Sequence, residues 1–351
     1  MPDTLTKLAY QTFQQGKQAF GYTHKTLMGR LREVVSPVNP GSKSEMPAST
    51  LAILKQRLDE LTETDWQDAV AGVYPKSLLF DNPWDDFLKY YPVVVLDTPS
   101  VWDRSKNKQY QDFDTDISTE GYPDYYLQNF HHQTDGYLGE MSAHLYDLQV
   151  ELLFNGSADP MRRRILAPLK RHIDNLPGMP KVLDVACGTG RTLKMIRDAL
   201  PQTSLHGVDL SPTYLRKANE LLSKEPGTLP QLIRTNAEAL PYLDGYFEAT
   251  VSVFLFHELP ADVRQAVINE CYRVTKSGGV FIICDSIQKL DTPEFEPMME
   301  NFPNVFHEPY YRHYSTDDMT ARLESAGFSH VDVSNHFMSK YWVAKKVLID
   351  Y

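Results

Sequence analysis

VLDVACGTGRT, residues 182–192, reads as an apolar run that ends in a small-residue turn carrying an acid and two glycines. A strand followed by such a turn lets the backbone come close to a ligand. Against the dinucleotide fingerprint G-x-G-x-x-G, Gly188 and Gly190 fit, but Leu193 stands where the third glycine belongs. No GK[ST] follows, so the turn is not a P-loop either. Asp184, inside the strand, is unfavourable beside a diphosphate. It suits a ligand that carries an amino group and a sulfonium charge. A plain strand–turn–helix without a ligand is the alternative for this stretch taken alone.

Neighbouring segments repeat the theme. LHGVDLSP (205–212) ends a strand in Asp209, where a carboxylate can take both hydroxyls of a ribose. Asn236-Ala237-Glu238 follows a third strand and forms a polar cluster able to meet an adenine. Periodicity predicts strands at 181–186, 204–208, 231–234, 249–255 and 279–284, with helices near 190–200, 212–224 and 261–275. A helix at 315–326 ends at Gly327, and strands near 329–334 and 337–347 close the chain. The alternation predicts an α/β fold with a mainly parallel, doubly wound sheet, which binds ligands beyond the carboxyl ends of its strands.

Four ordered segments carry a family resemblance: VLDVACGTG, GVDLSP, NAEALPYLDGYFEATVS (236–252) and ECYRVTKSGGVFIICD (270–285). In them the chain resembles the class I S-adenosylmethionine (SAM) methyltransferases, in the branch that includes the ubiquinone and menaquinone methyltransferases. The resemblance implies a Rossmann-like, seven-stranded, mostly parallel sheet with an α-helical N-terminal extension, and SAM as cofactor. It implies that Asp184, Ala186, Gly188 and Gly190 cradle the methionine moiety and that Asp209 holds the ribose. Asn236, Ala237 and Glu238 would flank the adenine. Cys187, Thr189, Leu210 and Phe254 complete the cofactor set. Residues 122–164 and FHEPYYRHYSTDDM (306–319) resemble uncharacterised methyltransferases of photosynthetic organisms, which names no substrate.

Several residues are candidates for the rest of the site. His257, after the fourth strand, would face the transferring methyl group as a general base; a capping or packing role with Glu258 is the alternative. His131, His132 and Asp135 show no recognised metal-ligand spacing, and no metal is expected. Tyr125, Tyr126, Phe130, His131 and Tyr137 would fold over the cofactor as a lid, unless they are ordinary aromatic packing. Tyr310 and Tyr311 would supply the opposite wall of an acceptor pocket. Arg162, Arg163 and Arg164 read as a solvated face, with an acidic partner or anionic substrate as the alternative. Cys187 reads as a small lining residue rather than a nucleophile.

N-terminal to this core, a short peripheral helix is expected with Leu5, Leu8 and Thr12 on one side, then a Pro/Ser/Gly linker over 36–48. Ser49 or Thr50 would cap a helix bearing Leu51, Leu54, Leu58 and Leu61, and Thr64 a second one. Residues 75–140, aromatic and broken by prolines, read as long loops. Helices are expected over 142–154 and from Asp159, as cap, with Pro160 at the first position. The domains are then 1–48 (helix and linker), 49–178 (helical, aromatic-rich lid) and 179–351 (SAM-binding core).

The net charge of -11 opposes a general nucleic-acid or anionic-membrane partner. Three unpaired cysteines (Cys187, Cys271, Cys284), no signal-like N-terminus and no long apolar run point to the cytoplasm. The expected function is SAM-dependent methylation of a small, aromatic or lipid-like acceptor under an N-terminal lid. A protein side-chain methyltransferase with residues 75–165 as docking surface is the alternative. A non-catalytic SAM-binding protein is the third.

Overall fold

The computed structural model describes residues 2–35, 46–224 and 227–347. Most of the expected 36–48 linker lies outside them. The core is a single seven-stranded sheet: β1 (Lys181–Val185), β2 (Ser204–Asp209), β3 (Gln231–Arg234), β4 (Phe247–Val253), β5 (Thr275–Ser286), β6 (Phe328–His336) and β7 (Ser339–Lys346). Its order is β3-β2-β1-β4-β5-β7-β6, parallel except for β7, which runs antiparallel to both β5 and β6. The order reverses between β1 and β4, which opens a crevice at their carboxyl ends.

Alternation along the strands builds a core on each face. Val182 packs with Ile165, Leu169 and Ile196, whereas Leu183 packs with Val267, Ile268 and Phe281 on the other side. The core helices fall close to their expected places at Arg191–Ala199, Pro212–Ser223 and Ala261–Val274. Ser211 accepts the Tyr214 N–H as the N-cap of the second of these. The last helix is shorter than expected, Met319–Ala326, but stops as read: Gly327 takes the left-handed conformation, φ 109°.

The N-terminal region departs further from expectation. α1 is a long helix, Pro2–Val35, and its buried positions are Tyr10, Gln14, Gly21 and Met28, whereas Leu5 and Leu8 are 70% and 59% exposed. α2 runs unbroken over Ala48–Val70 from Pro47, with no side-chain cap from Ser49 or Thr50. Thr64 caps nothing; its hydroxyl donates back to the Glu60 carbonyl at 2.7 Å.

Part of the stretch read as loops is α3, Trp84–Asn107, which contains Pro92 and Pro99. Tyr90 and Val94 bury against Leu145, Leu148 and Leu152 of α4 (Glu140–Leu153), and that packing outweighs the two missing N–H donors. The expected helix from Asp159 is two pieces, α5 (Ala158–Arg163), with Ser157 rather than Asp159 at the N-cap, and α6 (Leu166–Ile173). No helix among the described residues is long and apolar enough to cross a membrane.

Candidate functional site

The turn after β1 is built from strained and unusually free positions. Ala186 has φ 60° and Gly188 φ 52°, a left-handed region that side chains seldom adopt. The turn is held by three hydrogen bonds. The Cys187 N–H donates to Val208 O and the Gly190 N–H to Cys187 O, both at 2.9 Å. The Gly188 N–H donates to Asp209 Oδ2, also at 2.9 Å. Thr189 Oγ1 donates to Asp147 Oδ1 at 3.0 Å, which ties the turn to α4.

A cleft opens over this turn, and it is lined by most of the expected cofactor residues: Ala186, Cys187, Gly188 and Thr189 from the turn, Asp209 and Leu210 after β2. Asn236, Ala237 and Phe254 complete the expected lining. Three expected residues stand behind that surface. Gly190 (φ 79°) heads the following helix, and a Cβ on it would lie 2.9 Å from Ala218 Cβ. It therefore serves close packing, the task of the absent third glycine. Glu238 Oε1 accepts from Tyr125 Oη and Asn236 Nδ2, each at 2.8 Å. Asp184 is 1% exposed beneath the turn, and its Oδ2 has no hydrogen-bond partner.

The electrostatics fit a cationic, ribose-bearing ligand. Burial, and then the charge of Asp209, push the Asp184 carboxyl well above its usual range. An unpaired buried acid of this kind favours a positively charged partner. Burial also lifts Asp209 to about 6, opposed by the N–H groups of Ser211 and Gly188. The residues present thus suit SAM: an orphaned carboxylate oxygen for the ammonium, an acceptor at the second strand end for hydroxyls. At Gly188 a Cβ would project into open space, with Tyr214 the nearest neighbour at 3.9 Å. Cys187 is a buried thiol that burial pushes far up, so it lines the cleft as a neutral group.

Tyrosines roof the cleft. Tyr126, Phe130 and Tyr137 line it as expected, joined by Tyr146 and Tyr214, which the sequence reading missed. The Tyr137 ring stacks on Phe130 at 5.3 Å and meets Tyr214 edge-on at 5.6 Å. The arginine run is a correction: Arg162 and Arg163 are 4% and 1% exposed, not a solvated face. Arg162 lines the cleft, pairs with Asp159 at 3.2 Å and lies 5.7 Å over the Phe254 ring. Asp159 is its i−3 neighbour on α5, and Asp147 of α4 approaches at 3.9 Å, so the pair with Asp159 was legible in the sequence but the burial was not.

A second cavity adjoins the first and shares Tyr146, Phe254 and Glu258 with it. Its other walls are largely apolar, with Val150, Phe154, Met298, Met299 and Phe302 among them. His131, His257 and Tyr311 are its polar members beside Glu258 and Ser286. Tyr125 lines the cofactor cleft, whereas Tyr310 lines neither space and packs beside it. His257 Nδ1 lies 2.6 Å from Asp285 Oδ1, and Asp285 also accepts the N–H groups of Phe256 and Ser286. Burial works to lower the imidazole, but Asp285 overcomes it and holds His257 at about 9. Asp285 ends an apolar strand in an acid, the same signal that Asp209 gives, and was overlooked.

His131, His132 and Asp135 do not converge. His131 (φ 57°) faces the second cavity; His132 turns away toward His307, with ring centroids 5.7 Å apart. Asp135 Oδ1 accepts the Asp114 N–H.

Comparison with known proteins gives the family. A methyltransferase-domain family model matches residues 182–279. The chain is 30% identical over 173 residues to a demethylmenaquinone methyltransferase of Listeria monocytogenes, covering 44% of this chain and 72% of that protein. It is 29% identical over 157 residues to a malonyl-[acyl-carrier protein] O-methyltransferase of Geobacter sulfurreducens, covering 44% of this chain and 57% of that one. With an uncharacterised methyltransferase of Synechocystis it shares 29% identity over 159 residues, 45% of this chain and 71% of the relative. The chain belongs to the class I SAM-dependent methyltransferases.

Proposed function

We propose that the protein transfers the methyl group of SAM to a small apolar acceptor, aromatic or lipid-like, seated in the second cavity. The observation that carries this reading is the shared lining: Tyr146, Phe254 and Glu258 border both spaces, so the occupants of the two cavities would pack against the same three side chains. The Met298, Met299 and Phe302 side chains suit an apolar body, and methionines adapt to irregular shapes. Small-molecule sites are mostly apolar with a few convergent polar groups, which His131, His257 and Tyr311 supply.

When bound, SAM supplies an electrophilic methyl group on a sulfonium. The chain's own part is positioning and exclusion of water. Asp209 would accept from the ribose hydroxyls, the buried Asp184 carboxyl beneath the turn would favour the ammonium, and Asn236 and Ala237 would flank the adenine. Tyr126, Tyr137 and Tyr214 close the cleft from above. Because Asp285 holds His257 Nδ1 and keeps the imidazole protonated up to about 9, His257 is not the expected general base at neutral pH and would instead present its Nε2–H to an acceptor oxygen. Residues 179–351 act as the SAM-binding core and 49–178 as its lid.

Incubating the full chain with methyl-labelled SAM and a cell extract tests this. Label in organic-soluble small molecules is expected. Label confined to protein bands would instead support a side-chain methyltransferase.

A further inference from the structure

We infer that His131, Glu258 and Glu308 form a divalent-cation site on the wall of the second cavity. The three side chains come from distant segments: the turn before α4, the turn after β4, and the loop between the helices Glu296–Val305 and Tyr311–Tyr314. Each offers a ligand atom, and these atoms lie within 4.8 Å of one another. His131 Nε2 stands 2.8 Å from Glu308 Oε1 and 3.9 Å from Glu258 Oε1. Ligands bound at about 2.0–2.2 Å around one ion stand roughly 3–4 Å apart, so small side-chain rotations close the set.

A second observation points to a missing cation. Glu308 is 1% exposed, and neither of its carboxylate oxygens has a hydrogen-bond partner. His131 stands near enough to Glu308 for an ion pair, and against the lowering effect of burial the two acids raise its imidazole to about 10, so a metal would take the place of the His131 proton between the same groups. Among the described residues no lysine or arginine pairs with Glu258 or Glu308, and the third buried carboxylate nearby, Asp285, is committed to His257 and two backbone N–H groups. A buried carboxylate without donors is costly, and a metal ion is one way such charge is retained. Glu258 is already oriented, because Tyr137 Oη donates to its Oε1 at 2.5 Å.

One imidazole and two carboxylates suit a divalent ion such as Zn²⁺, which takes imidazole readily, or Mn²⁺, which prefers carboxylate oxygen. Three protein ligands leave coordination positions open. If the second cavity holds the acceptor, as proposed above, those positions face it, and the acceptor carries an ionisable hydroxyl. The spacing in sequence gave no hint of this set, because its members are far apart in the chain.

The site is tested without any acceptor. The full chain, stripped with EDTA, is titrated with Mn²⁺ and followed by electron paramagnetic resonance of the free ion. A single Mn²⁺ per chain is expected, with binding at least about 100-fold weaker in Glu308→Gln and His131→Gln. S-adenosylhomocysteine affinity, measured by calorimetry, should be unchanged in both variants, showing that they fold. No stoichiometric uptake of Mn²⁺ or, in a parallel titration, of Zn²⁺ by the wild-type chain overturns the inference. So does uptake that survives both substitutions. A failure here leaves the acceptor assignment standing, because neither readout involves the acceptor.

Discussion

Tyr137 donates its phenolic hydrogen to Glu258 at 2.5 Å, and so fastens the lid segment to the end of the fourth strand. The bond crosses from the aromatic N-terminal region to the methyltransferase core at the point where the two cavities meet. Tyr137→Phe keeps the ring stacking and removes this link. Hydrogen bonds to charged groups contribute about 1.5–3 kcal/mol. The variant should bind S-adenosylhomocysteine at least about tenfold more weakly by calorimetry, and cleave more readily in residues 122–139 on limited proteolysis. Unchanged affinity and protease resistance would show that the lid closes without it.

Asp209 sets the pH dependence of cofactor binding. Its carboxyl titrates at about 6 in the folded protein, raised by burial above its ordinary value. An acid raised by folding is protonated in the native state before the unfolded one, so this group's contribution to stability falls as pH rises toward 6. Binding runs the opposite way, because only the carboxylate accepts from two hydroxyls. Affinity for S-adenosylhomocysteine should be flat above about pH 6 and fall by up to about tenfold per unit below it. Asp209→Asn should weaken binding about 100-fold and flatten that profile. A wild-type profile with no inflection near 6 would count against the role of Asp209.

Asp65 locks the N-terminal helices to the core. Its buried carboxylate takes Arg163 Nε at 2.8 Å and Nη2 at 2.6 Å, and Tyr74 Oη at 2.6 Å, with Tyr10 Oη as a further donor. Asp65→Ala leaves Arg163 buried and uncompensated, and should cost about 3–5 kcal/mol. Tyr74→Phe removes one donor and should cost about 1 kcal/mol. Urea denaturation measures both, and equal costs would contradict the central place given to the Arg163–Asp65 pair.

Gly190→Ala tests the packing role of the second glycine. The new methyl would meet Ala218 and must adopt φ 79°. A loss of roughly 1–3 kcal/mol is expected, larger than for Gly188→Ala, whose methyl meets only open cleft. The order should reverse in cofactor binding, where Gly188→Ala intrudes on the ligand.

The α/β core was legible because its signals are local. The alternation of Val182 and Leu183 across the sheet, Asp209 at a strand end and Gly327 after a helix each act within a few residues. The lid was not. Pro92 and Pro99 mask a helix whose Phe87, Tyr90 and Val94 nevertheless keep helical spacing, and only packing on α4 makes it pay. Arg162 reads as one of three surface charges, with Asp159 its i−3 neighbour, until Asp147 of α4 is folded against it. His131, Glu258 and Glu308 are drawn together solely by tertiary structure, so no spacing rule could have found them.

The most direct test of the acceptor assignment fills the second cavity. Phe302→Trp adds bulk to its apolar wall and lies outside the cofactor cleft. Transfer of labelled methyl into the organic-soluble fraction of a cell extract is compared for wild type and variant, with S-adenosylhomocysteine affinity as control. The account predicts a loss of transfer of at least about tenfold, equivalent to roughly 1.4 kcal/mol of transition-state stabilisation, with cofactor affinity unchanged. Undiminished transfer by a chain whose second cavity is filled would contradict it.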